Sequence, residues 1–349
     1  MIRVVHHRAY VTEAPARSTY RWGKNGAIRD LLLDRGAAVT WHEPAPMPRE
    51  WLEATHDPDY VAEVLAAAVP REKERRIGFP VTEVVARRAA LVPGGTYMAA
   101  RLALAHGFAA NTAGGSHHAL ATTGAGYCVF NDLAVAAVRL AAERAAERIL
   151  IVDVDVHQGD GTAALTAGHE AITTYSIHAA KNFPVRKACS TVDVALPDAL
   201  GDDDYLAQLE ETLVPLLDEV QPDLILYQGG VDPYAGDRLG RLALSDAGLA
   251  RRDRLVGGLA LARGVPLAST VGGGYGDDVM AIAARHVAVI ERLAAVYEGA
   301  DFLGCAAADM DRPDAPPSSV IPDLVRDPPF RESGGFGVRG TLDPGTSPV

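Results

Sequence analysis

The stretch Ile149-Leu150-Ile151-Val152-Asp153-Val154-Asp155-Val156-His157 decides how this chain reads. It opens on four apolar residues, three of them β-branched, as a strand buried on both faces of a parallel sheet does. It then carries an acid, an acid and an imidazole at every second position. Side chains alternate across an extended chain, so Asp153, Asp155 and His157 are expected to point to one side. Outward from this run, short β-rich segments alternate with longer amphipathic segments rich in Ala, Leu and Arg. That is the pattern of an α/β fold with a central parallel sheet and helices on both faces. The expected strands are Arg3 to His6, Phe108 to Ala113, Ile149 to Asp155, Ile172 to Ile177, Leu224 to Gln228 and Pro266 to Val271. The expected helices include Asp132 to Arg148, Asp202 to Val220, Ser245 to Arg263 and Asp277 to Tyr297. Pro93-Gly94-Gly95 interrupts a helical run from Thr82 to His106, which reads as two helices joined by a turn.

Composition narrows the function classes. With 349 residues, 48% hydrophobic and 22% charged, the bulk of the chain folds rather than staying disordered. The formal charge of −12 comes without any long Lys/Arg block, which argues against an electrostatic grip on bare nucleic acid or an anionic membrane. A positively charged substrate stays open. Cys128, Cys189 and Cys305 form no CxxC pair, so neither a disulfide scaffold nor a Cys-type zinc finger is expected, and a reducing cytoplasm fits. The opening MIRVVHHRAY has no sustained apolar core and no long apolar run follows, so neither export nor membrane anchoring is expected. No internal repeat or mid-chain linker is visible, which makes 1–308 one expected domain. The remainder, 309–349, is expected to be an irregular or disordered tail. From Asp311 to Val349, 13 of 39 residues are Pro or Gly.

Two carboxylates and a histidine at the C-terminal end of a buried strand are costly unless a cation or proton donors compensate them, and ligands of open parallel sheets bind at that end. A polar strand exit into water, or a DxD pair of the nucleotide-sugar type, explains the same residues. A second strand runs from Leu224 into Gly229-Gly230-Val231-Asp232, whose acid is either a third ligand or the start of a turn before Pro233. A third ends in Gly272-Gly273-Gly274-Tyr275, and the loop Gly114-Gly115-Ser116-His117-His118 follows a fourth. Zinc on Asp155, His157 and Asp232 would keep a coordination position for water, which suits cleavage of amides or esters. Such chemistry needs a base, an oxyanion donor and an acid, and His117, Tyr275 and His118 are residues of those types. Asp153 and Asp160 are the natural partners to orient the two imidazoles.

Taken together these residues resemble the histone deacetylase family, which includes acetylpolyamine amidohydrolases. GGSHHA at 114–119, GYCVFND at 126–132, DVDVHQGDGT at 153–162, QGGVD at 228–232 with the later GD and Gly240, and GGGY at 272–275 follow the family order. RRIGFPVTEVV at 75–85, GGT at 94–96, and Gln158 where many members have His are most similar to the class IV branch. The resemblance implies an arginase/deacetylase-type fold with a sheet of about eight parallel strands. It implies zinc held by Asp155, His157 and Asp232, with iron(II) as an alternative for the same donors. It implies His117 and His118 as the proton-transfer pair, oriented by Asp153 and Asp160, and Tyr275 as the oxyanion donor. Tyr127 and Phe183 become walls of an acyl-lysine channel, and Asp155 with Ser176 becomes part of a structural potassium site.

The implied activity is removal of acetyl or longer acyl groups from protein lysines, with an acetylpolyamine or other small acetylated amine as the alternative substrate. A metal-bound reader of acyl-lysine without turnover, and an arginase-like hydrolase needing two manganese ions, are the rival classes. Longer acyl chains are expected from the class IV likeness. The chain departs from the family pattern before Pro80, where Gly78-Phe79 stands in place of a rim aspartate, and at Asp160, where class IV relatives often have Asn.

Overall fold

The computed structural model describes residues 1–12, 20 and 22–298. Eight strands form one sheet: β1 Ile2–Val5, β2 Val39–His42, β3 Phe108–Asn111, β4 Ile149–Asp153, β5 Ile172–Ala179, β6 Val192–Leu196, β7 Leu224–Gln228 and β8 Leu267–Thr270. Their spatial order is β2-β1-β3-β8-β7-β4-β5-β6, and every pairing is parallel. Among the described residues ten α-helices connect or follow these strands: α1 Lys24–Asp34, α2 Arg49–Glu53, α3 Pro58–Leu65, α4 Arg71–Ile77, α5 Glu83–His106, α6 Asp132–Ala142, α7 Asp160–Thr166, α8 Asp202–Val220, α9 Asp246–Ala262 and α10 Val279–Tyr297.

Alternation along the strands builds two cores. Leu150 and Val152 of β4, with Ile225 and Tyr227 of β7, face a cluster containing residues of α1, α8, α9 and α10. Ile149, Ile151, Leu224 and Leu226 face the other way, onto α5 and α6. All four central residues of each strand are therefore apolar, as the opening run implied. A third cluster ties α2, α3 and α4 to α5 and brings the α4 end beside Tyr127.

Four sequence expectations need correction. The segment from Thr82 to His106 is one helix with Pro93 inside it, not two. Gly94 and Gly95 serve close packing there: a Cβ on Gly94 would overlap the Ala45 carbonyl, and one on Gly95 the Tyr10 hydroxyl. The helix after Asn131 stops at Ala142 instead of Arg148, and Arg144 takes a left-handed φ of 55° beyond it. β4 stops at Asp153, so Asp155 and His157 lie in the loop that follows and not on the strand. β2 and β6 were not expected. Both are edge strands, so they lack the continuous apolar runs of the centre. The expected tail 309–349 lies outside the described residues.

Candidate active site

Strand order explains why distant residues meet. β3, β8, β7 and β4 are consecutive neighbours, and their C-terminal ends lead into Gly114–His118, Val271–Tyr275, Gly229–Asp232 and Val154–His157. The parallel arrangement puts all four loops on one edge of the sheet.

Asp155, His157 and Asp232 are buried, and one potential donor atom of each lies within 4.8 Å of the others. The Nδ1 of His157 is 2.9 Å from Asp155 Oδ1 and 3.1 Å from Asp232 Oδ2. Burial alone lowers an imidazole pKa, but the two carboxylates more than offset it and raise His157 to about 10. Asp232 moves up, through burial and the nearby Asp155 charge. The cluster is thus short of positive charge. Glycine makes the space: a Cβ on Gly273 would overlap the carboxylates of both Asp232 and Asp155. Two carboxylates and one imidazole around such a space fit a divalent cation.

The two histidines of the β3 loop share one geometry. His117 Nδ1 is 2.6 Å from Asp153 Oδ2, and His118 Nδ1 is 2.6 Å from Asp160 Oδ1. Each ring is buried, and the ring centroids are 4.1 Å apart. His117 Nε2 lies 3.8 Å from Asp155 Oδ1. Burial lowers His117, but Asp153 and Asp155 outweigh that and raise it to about 9. For His118 burial dominates, the neighbouring His117 charge adds to it, and the pKa falls to about 3 despite Asp160. The environment therefore separates two adjacent imidazoles in opposite directions.

The glycines before the pair let the loop approach β8. Gly114 and Gly115 have φ of 96° and 75°, and a Cβ on Gly115 would come 2.5 Å from the Gly272 Cα. Asp132, at the start of α6, accepts from Ser116 N at 2.7 Å and Gly115 N at 3.2 Å.

Tyr275 stands opposite, its ring 6.1 Å from that of His157 and 5.8 Å from Tyr127. Its backbone N donates to Asp237 Oδ2 at 2.6 Å. Burial first, then the carboxylates of Asp155 and Asp232, push the phenol well above its usual pKa and keep it a proton donor. Phe183 meets His118 edge-on at 4.7 Å. Tyr127 has φ 68° and stacks on Phe79 at 6.4 Å. Gly78, which stands near the family's rim aspartate position, closes α4 with φ 99°, and a Cβ there would come 2.9 Å from Tyr127. Any side chain at Gly78 would be strained by that φ and would have to displace the Tyr127 ring. Ser176 lies in β5 beside Asp153 in register, and its hydroxyl bonds to His178 Nδ1 at 3.0 Å rather than to Asp155.

Sequence reasoning missed several supporting residues. Gln228 donates to Asp155 Oδ2 at 2.9 Å and accepts from Gly230 N at 2.8 Å. Arg252, fully buried in α9, donates to the Gly230 carbonyl at 2.7 Å and the Val154 carbonyl at 3.4 Å, tying together the two loops that carry Asp155 and Asp232. Its charge is met by Asp253 at 2.9 Å. Gln228 was inside a quoted motif, but no sequence signal separates Arg252 from the exposed arginines beside it.

Comparison with known proteins shows the family and the fold. The sequence profile of the histone deacetylase domain matches residues 5–290. An uncharacterised protein of Picosynechococcus sp. is 44% identical over 285 residues, covering 81% of this chain and 95% of that protein. Histone deacetylase 2 of Arabidopsis thaliana is 29% identical over 73% of this chain and 68% of its own length. Among solved structures, the HD domain of HDA15 superposes with a TM-score of 0.71 at 23% identity, covering 83% of this chain and 90% of that one. Acetylpolyamine aminohydrolase from Burkholderia pseudomallei gives 0.70 at 19%, covering 85% and 99%. At those identities the two structures speak for the fold, and the sheet is of their arginase/deacetylase type. With its profile match spanning most of the chain and its four converging loops, this protein belongs to the histone deacetylase family.

Proposed function

We propose that this histone deacetylase-family hydrolase removes acetyl or longer acyl groups from lysine side chains of proteins, with zinc held by Asp155, His157 and Asp232. What supports this most directly is the meeting of an Asp-His-Asp cluster, two His–Asp pairs and a tyrosine at one buried point. Iron(II) suits the same three donors. When bound, such a cation supplies the Lewis acidity that polarises an amide carbonyl and makes water acidic near neutral pH.

The chain's own residues supply the rest. Asp153 and Asp160 fix the two imidazoles through Nδ1, leaving Nε2 of each to move protons. His117 and His118 together are assigned to take the proton of the attacking water and to protonate the departing amine nitrogen as the C–N bond breaks. With His117 raised by its carboxylates and His118 lowered by burial, His118 is the neutral ring that can accept first. A single role for His118 in both transfers is compatible with the same geometry. Tyr275 is assigned to donate a hydrogen bond to the carbonyl oxygen as negative charge develops there. Tyr127 and Phe183 are assigned to flank the acyl-lysine chain. Asp155 and Ser176 are assigned to a structural potassium ion. Residues 1–308 are read as the catalytic domain and the cytoplasm as its location. Among the described residues no helix is long and apolar enough to cross a membrane.

A small acetylated amine is the second reading, favoured by Gly78-Phe79 standing where the family's rim aspartate is expected; the acidic net charge suits both substrates. The metal-loaded enzyme assayed on acyl-lysine peptides of several chain lengths beside acetylated polyamines separates the two. Hydrolysis of the peptides is the expected result. Turnover of acetylated polyamines alone would replace it with the second reading.

A further inference from the structure

The loop that carries Phe183 is held largely through polar contacts. Asn182 and Pro184 are buried, but Phe183 is 44% exposed and Val185 97% exposed, so the two large apolar side chains of the segment contribute little burial. Three side chains pin it instead. Asn182 donates to the Leu239 carbonyl at 2.7 Å and accepts from Arg241 N at 3.0 Å. Lys187 Nζ donates to the carbonyls of Asn182 at 2.5 Å and Pro184 at 2.7 Å, which ties the loop to itself. The third is Gln158, directly after His157.

Gln158 is buried, and its amide pairs with both polar groups of Ala188. Its Oε1 accepts from Ala188 N at 2.9 Å, and its Nε2 donates to the Ala188 carbonyl at 2.9 Å. The same Nε2 donates to Asp193 Oδ1 at 2.7 Å, while Asp193 Oδ2 accepts from Ser190 N at 2.8 Å. One side chain thereby joins the segment bearing the Asp-His-Asp cluster to the far end of the loop bearing Phe183. Only a planar amide, donor and acceptor at once, makes all three bonds.

We propose that Gln158 is a positioning residue that sets where the Phe183 wall stands and, through it, how tightly the acyl-lysine chain is bound. This rests on the channel reading of Phe183. Its signature is a change in KM with kcat retained, because Phe183 would touch the unreacting chain equally in the ground and transition states.

Two measurements on the metal-loaded protein test it. In Gln158→Ala, hydrogen exchange of the 182–190 segment should quicken about tenfold as the Ala188 amide loses its acceptor. KM for an acyl-lysine peptide should rise about fivefold, with kcat within about twofold of wild type. Gln158→Glu keeps the acceptor for Ala188 N but sets a carboxylate against Asp193, so it should behave at least as badly. Adding Asp193→Asn restores a donor between the two side chains and should bring both KM and exchange back toward wild type. A merely structural role would recover melting temperature in the double variant without recovering KM. Unchanged exchange in Gln158→Ala, or a fall in kcat at constant KM, would overturn the proposal. Absence of any acyl-lysine turnover in the wild type would instead remove the proposed function and the KM effect with it, while exchange would still decide whether Gln158 holds the loop.

Discussion

His118 Nδ1 and Asp160 Oδ1 lie 2.6 Å apart, which commits one ring nitrogen to a carboxylate and leaves the other for chemistry. Replacing His118 with Ala removes a proton carrier while leaving Asp155, His157 and Asp232 in place. Turnover should fall about 10²-fold or more, on the scale of general acid–base catalysis, with metal content unchanged. A near-normal kcat on a substrate whose amine leaves slowly would show that His118 carries no essential proton.

Asp232 does two things. Its Oδ2 faces His157 Nδ1, and its Oδ1 accepts from Val156 N at 2.9 Å. Asp232→Asn retains an oxygen for Val156 but loses the charge, so the variant should fold while bound metal and activity drop together. Elemental analysis beside a thermal melt checks this. A full metal complement in the folded variant would remove Asp232 from the ligand set.

His56 links stability to pH away from the active site. Its Nδ1 meets the Leu120 carbonyl at 2.9 Å and its Nε2 meets Asn131 N at 3.0 Å, so the neutral ring donates at Nδ1 and accepts at Nε2. Burial lowers its pKa to about 4. The unfolded chain, with an imidazole near 6.5, binds this proton first as pH falls, so the contribution is complete above about 6.5 and declines toward about 4. Between those values one such proton is worth up to about 1.4 kcal/mol per pH unit. In urea titrations His56→Gln should therefore be less stable at pH 7 and show a shallower loss between pH 6 and 5. A slope equal to that of wild type would mean that His56 is protonated in the folded state.

How far the sequence led depended on how local each signal was. The apolar runs of β4 and β7 were legible because burial on both faces leaves no polar positions. The edge strands β2 and β6 were not, since an edge is only partly buried. Pro93 misled because a proline's local effect was read without Ala45 and Tyr10, whose close approach explains the glycines beside it. Asp153, Asp155 and His157 do come to one place, yet through a loop after Asp153 instead of strand alternation. Arg252 shows the limit most clearly: its meaning lies in two carbonyls, at Val154 and Gly230, that are 98 and 22 residues away.

Tyr275 is held by its backbone and ring, which makes its hydroxyl separable. The main chain is fixed by Tyr275 N donating to Asp237 and by Arg238 N donating to the Tyr275 carbonyl at 3.1 Å. The ring packs near Tyr127 and His157 without needing the oxygen. Tyr275→Phe should thus keep both fold and metal while deleting one hydrogen-bond donor. If that donor serves the oxyanion, its contribution is largest in the transition state, and kcat should fall by about 10² to 10³ with little change in KM. Loss of affinity at constant kcat would make Tyr275 a wall of the channel instead. The two outcomes are distinguished by saturation kinetics on one acyl-lysine peptide, read beside the variant's metal content so that a lost ligand cannot imitate a lost donor.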